Sequence, residues 1–153
     1  MKHTSIADWN NSERHRLYEL YIEGIWDQLP HALQCLCGYH TRRVYLFDSN
    51  VEAIDVGVGE RTVKITLDGE AIDEQGWRRG ARFFLRYDNV VFFRSMSNPE
   101  GSLPGPAGYG DLGYDEVELI AEGVFEHRLL FSTGIELAVR FGEFFLEYTD
   151  SPQ

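Results

Sequence analysis

Along the N-terminal part of the chain, apolar residues recur at helical spacing, and this pattern predicts a helix from Ser12 to Leu29. Asn11 or Ser12 can cap its first free amides. Pro30 disfavours helical geometry at the residue before it, so a second, short helix is predicted from His31 to Cys37. The face that the first helix turns towards a core carries Leu17, Tyr18, Tyr21, Ile22, Ile25, Trp26 and Leu29.

Beyond residue 38 the apolar period changes to two, which predicts strands. The clearest run is Thr62 to Asp68, where apolar and polar residues alternate strictly. The runs RRVYLFD and VEAIDVGV precede it and are joined by Ser49 and Asn50, so residues 42–68 are predicted to form a three-stranded meander. Ala81 to Tyr87 and Val90 to Arg94 are predicted to pair across Asp88 and Asn89 in the same way.

The C-terminal part repeats this pattern. Phe125 to Phe131 and Ile135 to Phe141 predict a hairpin around Gly134, and Phe144 to Thr149 predicts a last strand. With Asp115 to Ile120, the sequence predicts an α+β, mainly β fold: an antiparallel sandwich or partly closed barrel of about nine short strands, packed by one or two N-terminal helices. We expect one domain over residues 1–153, helical at 12–37 and β-rich at 42–149, with a long loop at 95–113.

Charge is spread unevenly along the chain. The formal net charge is −11; residues 1–94 hold 14 acidic and 12 basic residues, whereas residues 95–153 hold 11 acidic residues and only Arg128 and Arg140. Such a field repels phosphate backbones and anionic lipids and attracts basic protein surfaces. We therefore expect neither nucleic acid nor a membrane as partner, and the choice lies between a basic protein partner and a charge that only keeps the chain soluble.

The chain is expected in the cytoplasm. No apolar run approaches the roughly 18 residues needed to span a bilayer, and the start MKHTSIADWNNSERH lacks the apolar segment of a secretory signal. Cys35 and Cys37 are separated by one residue and are poorly placed for stapling distant segments, which agrees with a reducing compartment.

Two motifs suggest ligands. Gly108, Gly110 and Gly113 spell G-x-G-x-x-G, but the flanking sequence predicts no strand before them and no helix after them, as nucleotide binding requires. His31, Cys35, Cys37 and His40 offer four zinc ligand types, but at an unusual spacing, and the sequence favours a buried cysteine pair at a helix end. We expect no metal and no cofactor.

Other reactive residues have simpler interpretations. His127 lies on a strand between Glu126 and Arg128 and is read as a satisfied structural histidine. Arg82 and Arg86 share a strand face and offer an anion site, but the neighbouring acids favour internal ion pairs.

The runs HRLYELYIEGIWDQLPHAL and FEHRLLFSTGIELAVRFGEFFLEY resemble small uncharacterised bacterial proteins known only as domains of unknown function. In these proteins an N-terminal helix precedes a β-rich body, and no catalytic residue is carried over. Some small acidic bacterial proteins of this build are immunity proteins that block a secreted toxin. The resemblance permits that role.

Three functions follow as hypotheses. The first is a non-enzymatic binding protein that engages a basic partner, as an immunity-type inhibitor does. The second is a small-ligand binder or enzyme with a pocket between the sheet and the N-terminal helix, lined by Trp26, Trp77 and the aromatic residues of 83–93. The third is self-association through the last strand. The residues predicted to bind the basic partner are Tyr109, Asp111, Asp115, Glu116, Glu118 and Glu122.

Overall fold

The computed structural model describes residues 12–37, 44–72, 74–96 and 108–150. Helix α1 spans Ser12–Ile25 and tightens into a 3-10 turn at Trp26–Gln28, and helix α2 spans His31–Cys37. Leu29, between them, has an extended backbone (φ −80°, ψ 130°), because Pro30 follows it. Both predicted helices are confirmed, although α1 ends before its predicted boundary.

Within these ranges eight strands form two antiparallel sheets. Sheet A has the order β1-β2-β3-β8 and sheet B the order β4-β7-β6-β5, and the sheets do not close into a barrel. The predicted class, mainly β with N-terminal helices packed on it, is confirmed. The strands are β1 (Val44–Gly57), β2 (Thr62–Ile72), β3 (Arg78–Asp88), β4 (Phe92–Met96), β5 (Leu112–Ala121), β6 (Val124–Phe131), β7 (Glu136–Phe141) and β8 (Glu143–Asp150).

Strand β1 is one long strand where the sequence predicts two. Its pairing with β2 shifts between Tyr45 and Asn50, and Asp48 has a positive φ of 63°. Ser49 and Asn50 therefore belong to a β-bulge and not to the predicted hairpin turn. The turn-forming residues bend the strand without reversing it, which reduces the predicted nine strands to eight.

The predicted pairing across Asp88 and Asn89 is wrong, because this turn carries the chain from one sheet to the other. β3 pairs with β8 in sheet A, whereas β4 pairs with β7 in sheet B. Gly142 makes the same crossing between β7 and β8, and its N–H donates to the Asp88 carbonyl at 3.1 Å. A single two-stranded ribbon thus bends through both sheets. The predicted hairpin around Gly134 is confirmed by the pairing of β6 with β7.

Helix α1 covers the edge of sheet B. The hydroxyl of Tyr18 accepts a hydrogen bond from the Val117 N–H at 2.6 Å, and the hydroxyl of Tyr21 accepts one from the Leu119 N–H at 2.9 Å. Both amides belong to β5, the outer strand of sheet B. The helix therefore satisfies edge amides that a further strand would otherwise satisfy.

One hydrophobic core joins the helices to both sheets. Leu33 and Leu36 of α2 pack with buried residues of sheet A and sheet B, among them Ile65, Leu67, Phe83, Leu129, Leu137 and Phe141. These side chains alternate along their strands, as the period of two predicts.

Gly69 allows the bulge to pack. A Cβ at this position would lie 2.1 Å from the Ser49 Oγ and 3.1 Å from the Ser49 Cβ, and Ser49 is fully buried. We expect Gly69→Ala to lower the free energy of unfolding by about 1–3 kcal/mol, as measured by urea denaturation. Gly59→Ala is the control, since a Cβ there meets nothing within 4 Å. Equal stability of the two variants would contradict this role of Gly69.

Candidate functional site

The six residues predicted to bind a partner lie on or beside β5, but they do not form one surface. Asp111 and Glu122 are exposed at opposite ends of this strand, up to roughly 36 Å apart at about 3.3 Å per residue. Tyr109 is half-buried, and its ring centroid lies 5.7 Å from that of Phe131.

Tyr109 and Asp111 connect the start of β5 to the turn between β6 and β7 and to β1. The Thr133 hydroxyl donates to the Tyr109 carbonyl at 2.6 Å, and the Ser132 N–H donates to the Asp111 carbonyl at 2.8 Å. With its amide nitrogen turned towards the loop, Asn50 donates to the Asp111 carboxylate at 3.1 Å. These contacts give both predicted residues a structural role at the seam between β1 and β5.

Glu116 and Glu118 do not face solvent, which corrects their predicted place on a binding surface. Their exposed fractions are 2% and 7%. Glu116 forms a short ion pair with Arg128, which lies directly opposite it on β6 and is also buried. Arg128 Nε contacts Glu136 at 2.9 Å on its other side. The alternation of apolar and polar residues could not reveal the burial of Glu116 and Glu118, because it does not show that the second face of a strand is also covered.

Arg128 remains charged in this ladder of ion pairs. Burial opposes its charge, but the hydrogen bond to Glu136 and the charges of Glu116, Glu136 and Glu126 outweigh burial and raise the pKa of Arg128. Arg140 likewise pairs with Glu126 at 2.7 Å. The two basic residues of the C-terminal third thus neutralise part of its negative charge inside the sheet.

Asp115 ends a buried hydrogen-bonded chain. His127 is fully buried, with Nε2 2.8 Å from the Asp115 carboxylate and Nδ1 2.8 Å from the Tyr87 hydroxyl. Because an ionised carboxylate can only accept, Nε2 carries a proton, and in the neutral imidazole the hydroxyl then donates to Nδ1. The histidine has a partner on both nitrogens, in agreement with its predicted structural role.

The order Tyr87, His127, Asp115 places a hydroxyl, an imidazole and a carboxylate in a row, as in a nucleophile–base–acid arrangement. The Tyr87 hydroxyl is inaccessible, however, since Tyr87 is fully buried and its ring packs against Phe141 and Phe144 at 5.0 and 5.1 Å. The arrangement links sheet A to sheet B, and its hydroxyl end is buried in the core.

The exposed acids of the C-terminal third concentrate on β8. Glu143, Glu147 and Asp150 are exposed, and within the described ranges none of them forms an ion pair. β8 carries no basic residue. It is also the outer strand of sheet A. The sequence predicted the negative surface on β5 instead, because a sequence does not show which acids are paired internally.

A shallow groove of about 370 Å³ lies on the outer face of sheet A. Its walls include Asp55, Lys64, Phe84, Arg86, Phe145 and Glu147. Both phenylalanines are 39% exposed, and the Arg86 guanidinium lies 3.9 Å from the centroid of the Phe145 ring. This groove faces solvent, away from the helices, so it is not the predicted pocket between sheet and helix.

The predicted pocket lining is dispersed. Trp77 is 69% exposed, whereas Phe83 and Tyr87 are fully buried in the core. The predicted internal ion pairing of the arginines is confirmed, since Arg82 contacts Glu52 at 2.7 Å and Arg86 contacts Asp88 at 3.4 Å.

Neither sequence motif becomes a ligand site among the described residues. His31 Nε2 lies 3.7 Å from Cys35 Sγ, His40 is outside those residues, and the parts of the chain that are described contain no group of three metal-ligating side chains. Gly108 and Gly110 have positive φ angles of 65° and 76°, and strand β5 follows them where a nucleotide fingerprint needs a helix. Of the predicted loop at 95–113, residues 97–107 lie outside the described residues.

Comparisons with known proteins add little. No family model and no curated protein matches the sequence. A crystal structure of an uncharacterised protein from Neisseria gonorrhoeae is similar with a TM-score of 0.46 and 11% identity, over 68% of this chain and 93% of that chain. A likeness of this size says nothing about a partner or an activity. No helix in the described ranges is long and apolar enough to cross a membrane.

The hydroxyl of Tyr87 gives the fold a pH dependence. Burial, and next the charge of Asp115, raise the pKa of Tyr87 well above its ordinary value of 10.0. The folded chain therefore keeps this proton at a pH where the unfolded chain loses it, so the stabilisation is complete below about pH 10 and is lost as pH rises towards the folded pKa. We expect the difference in unfolding free energy between the wild type and Tyr87→Phe to fall above pH 10 by up to about 1.4 kcal/mol per pH unit.

At neutral pH, Tyr87→Phe leaves His127 Nδ1 without its hydrogen-bond partner and should cost about 1–3 kcal/mol. Urea denaturation from pH 7 to pH 11 measures both effects. Tyr148→Phe, at the exposed edge of β8, is the control for losing a phenol. A difference from the wild type that stays constant through pH 11 would contradict the assigned burial of the Tyr87 proton.

Proposed function

We propose that this protein is a non-enzymatic binding protein that engages a basic protein partner through the acidic outer strand β8. The observation that carries the proposal is the separation of the C-terminal acids into two sets. Glu116, Glu126 and Glu136 are paired with arginines, while Glu143, Glu147 and Asp150 are exposed without ion pairs in the described structure. Inhibition of a basic toxin, as by an immunity protein, is the concrete form of this function.

Glu122, one of the residues predicted from the sequence, extends the negative charge of β8. Glu122 is exposed in the turn between β5 and β6. The next residue, Gly123, lies close to Gly142, which precedes β8: a Cβ added to Gly142 would be 3.8 Å from the Gly123 carbonyl oxygen. Negative charge at one end of sheet B thus continues into β8. An exposed field of one sign accelerates encounter with a partner of the opposite sign.

Charge reversal on β8 tests the proposal. The triple variant Glu143→Lys, Glu147→Lys, Asp150→Lys is compared with the wild type as bait in lysate of the source cells at low and high salt. We expect a basic protein that the wild type retains at low salt and releases at high salt. With the triple variant, its association rate should fall at least about 10-fold.

The matched control reverses three exposed acids of the N-terminal helices: Glu19→Lys, Glu23→Lys and Asp27→Lys. It changes the net charge equally but leaves β8 intact. Equal retention of the partner by both triple variants would attribute binding to net charge alone, and full retention by the β8 variant would overturn the proposal.

A further inference from the structure

We propose that the partner binds as an extended segment that adds a strand to the free edge of β8, with basic side chains flanking an aromatic one at every second position. This inference rests on the proposed function, because it specifies how the acidic strand recognises its basic partner. It also predicts the sequence pattern that the partner must carry.

The free backbone edge is the first observation. β8 pairs with β3 along eight residues, from Glu143 opposite Asp88 to Asp150 opposite Ala81. On its other side, no strand of the described ranges pairs with β8. Tyr148 is 47% exposed, and residues 147–150 are all exposed. Unpaired amides and carbonyls of such an edge are a template for another extended chain.

The edges of sheet B are different. The hydroxyls of Tyr18 and Tyr21 cap two amides of β5, and β4 is only five residues long. Capping and shortness are two ways in which proteins block strand addition. β8 is eight residues long, and among the described residues no side chain bonds its outer backbone groups. At the opposite border of sheet A, β1 is already bridged to Asp111, beside β5, at Asn50, so strand addition is directed to β8.

The outward side chains of β8 define the pattern that an added strand would meet. Glu143, Phe145 and Glu147 occupy every second position of β8, so their side chains lie on the same face of sheet A. Their partners on β3 are Asp88, Arg86 and Phe84. Side chains on the same face of an added strand would lie about 5 Å from them. Basic side chains of the added strand would pair with the two glutamates, and an aromatic side chain would pair with the phenylalanine between them. The added strand would therefore carry the order basic-x-aromatic-x-basic.

The groove on the outer face of sheet A accommodates the aromatic side chain. Phe145 forms one wall, and the exposed ring of Phe84 lies on the neighbouring strand. Arg86, stacked on Phe145, is paired with Asp88, and Arg82 is paired with Glu52. Both arginines near the groove are therefore paired with acids, and Lys64 lies opposite Asp55 on β1.

A second copy of this chain is a poor occupant. If β8 paired with β8 of another copy, Glu143, Glu147 and Asp150 would be added to the same three acids, with no basic residue on either strand. Like charges across a strand pair are destabilising. The charge of β8 thus favours a basic segment over self-association.

Labelled peptides test the pattern directly on the full chain. The probe contains Lys-Thr-Phe-Thr-Lys, and the reference contains Lys-Lys-Thr-Thr-Phe, which has the same composition and charge but places its lysines on opposite faces. We expect the alternating peptide to bind at least 10-fold more tightly at low salt, measured by fluorescence anisotropy. Equal affinity would overturn strand addition while leaving charge-based partner binding intact.

Backbone pairing has its own test. Two further versions of the alternating peptide are N-methylated at one or the other set of alternate amides. In a strand, successive amides point to opposite edges, so one version should lose binding at least 10-fold and the other should keep it. Similar affinity of the two versions would rule out an added strand.

Protein variants locate the site. Glu143→Lys with Glu147→Lys should abolish binding of the lysine peptide and create binding of Glu-Thr-Phe-Thr-Glu, a gain that misfolding does not produce. Phe145→Ser should remove the advantage of the central Phe over Thr in the peptide. Glu19→Lys with Glu23→Lys on α1 should keep the wild-type order of affinities. Peptide binding that survives the β8 reversal, or dimers formed by the wild type in light scattering, would contradict the proposal.

Discussion

The backbone groups at the edge of a β-sheet must find partners or remain open to another chain, and this constraint organises the protein. At β5 the requirement is met from within, since Tyr18 and Tyr21 of α1 accept hydrogen bonds from Val117 and Leu119. Asn50 and Asp111 add the bridge that joins β1 to β5. The helix, the bulge of β1 and the clasp at Asp111 therefore act together to close one side of the molecule.

The bent ribbon determines which edge stays open. β3 is an inner strand of sheet A and continues into β4, an outer strand of sheet B. Likewise, β7 is an inner strand of sheet B and continues into β8, an outer strand of sheet A. The short β4 offers little edge. The edge of sheet A at β8 consequently carries three acids and no base.

Burial divides the titratable groups into structural and available ones. His127 is held between Tyr87 and Asp115, and Arg128 lies between Glu116 and Glu136. Each buried group has a partner of suitable chemistry, which is the condition for keeping it inside a sheet. The acids of β8 and the aromatic groove beside them, by contrast, are exposed.

The sequence by itself determined the helices, most strand positions and the mainly antiparallel class, because helical and alternating periods are local properties of the chain. It also determined the net negative charge of the C-terminal third. Only the tertiary structure decided that Ser49 and Asn50 bend a strand and that Asp88 and Asn89 cross between sheets, since bends, bulges and hairpins use the same turn residues. It likewise decided that Glu116 is buried and Glu147 exposed, because the pairing of an acid depends on the arginine that a distant strand places opposite it.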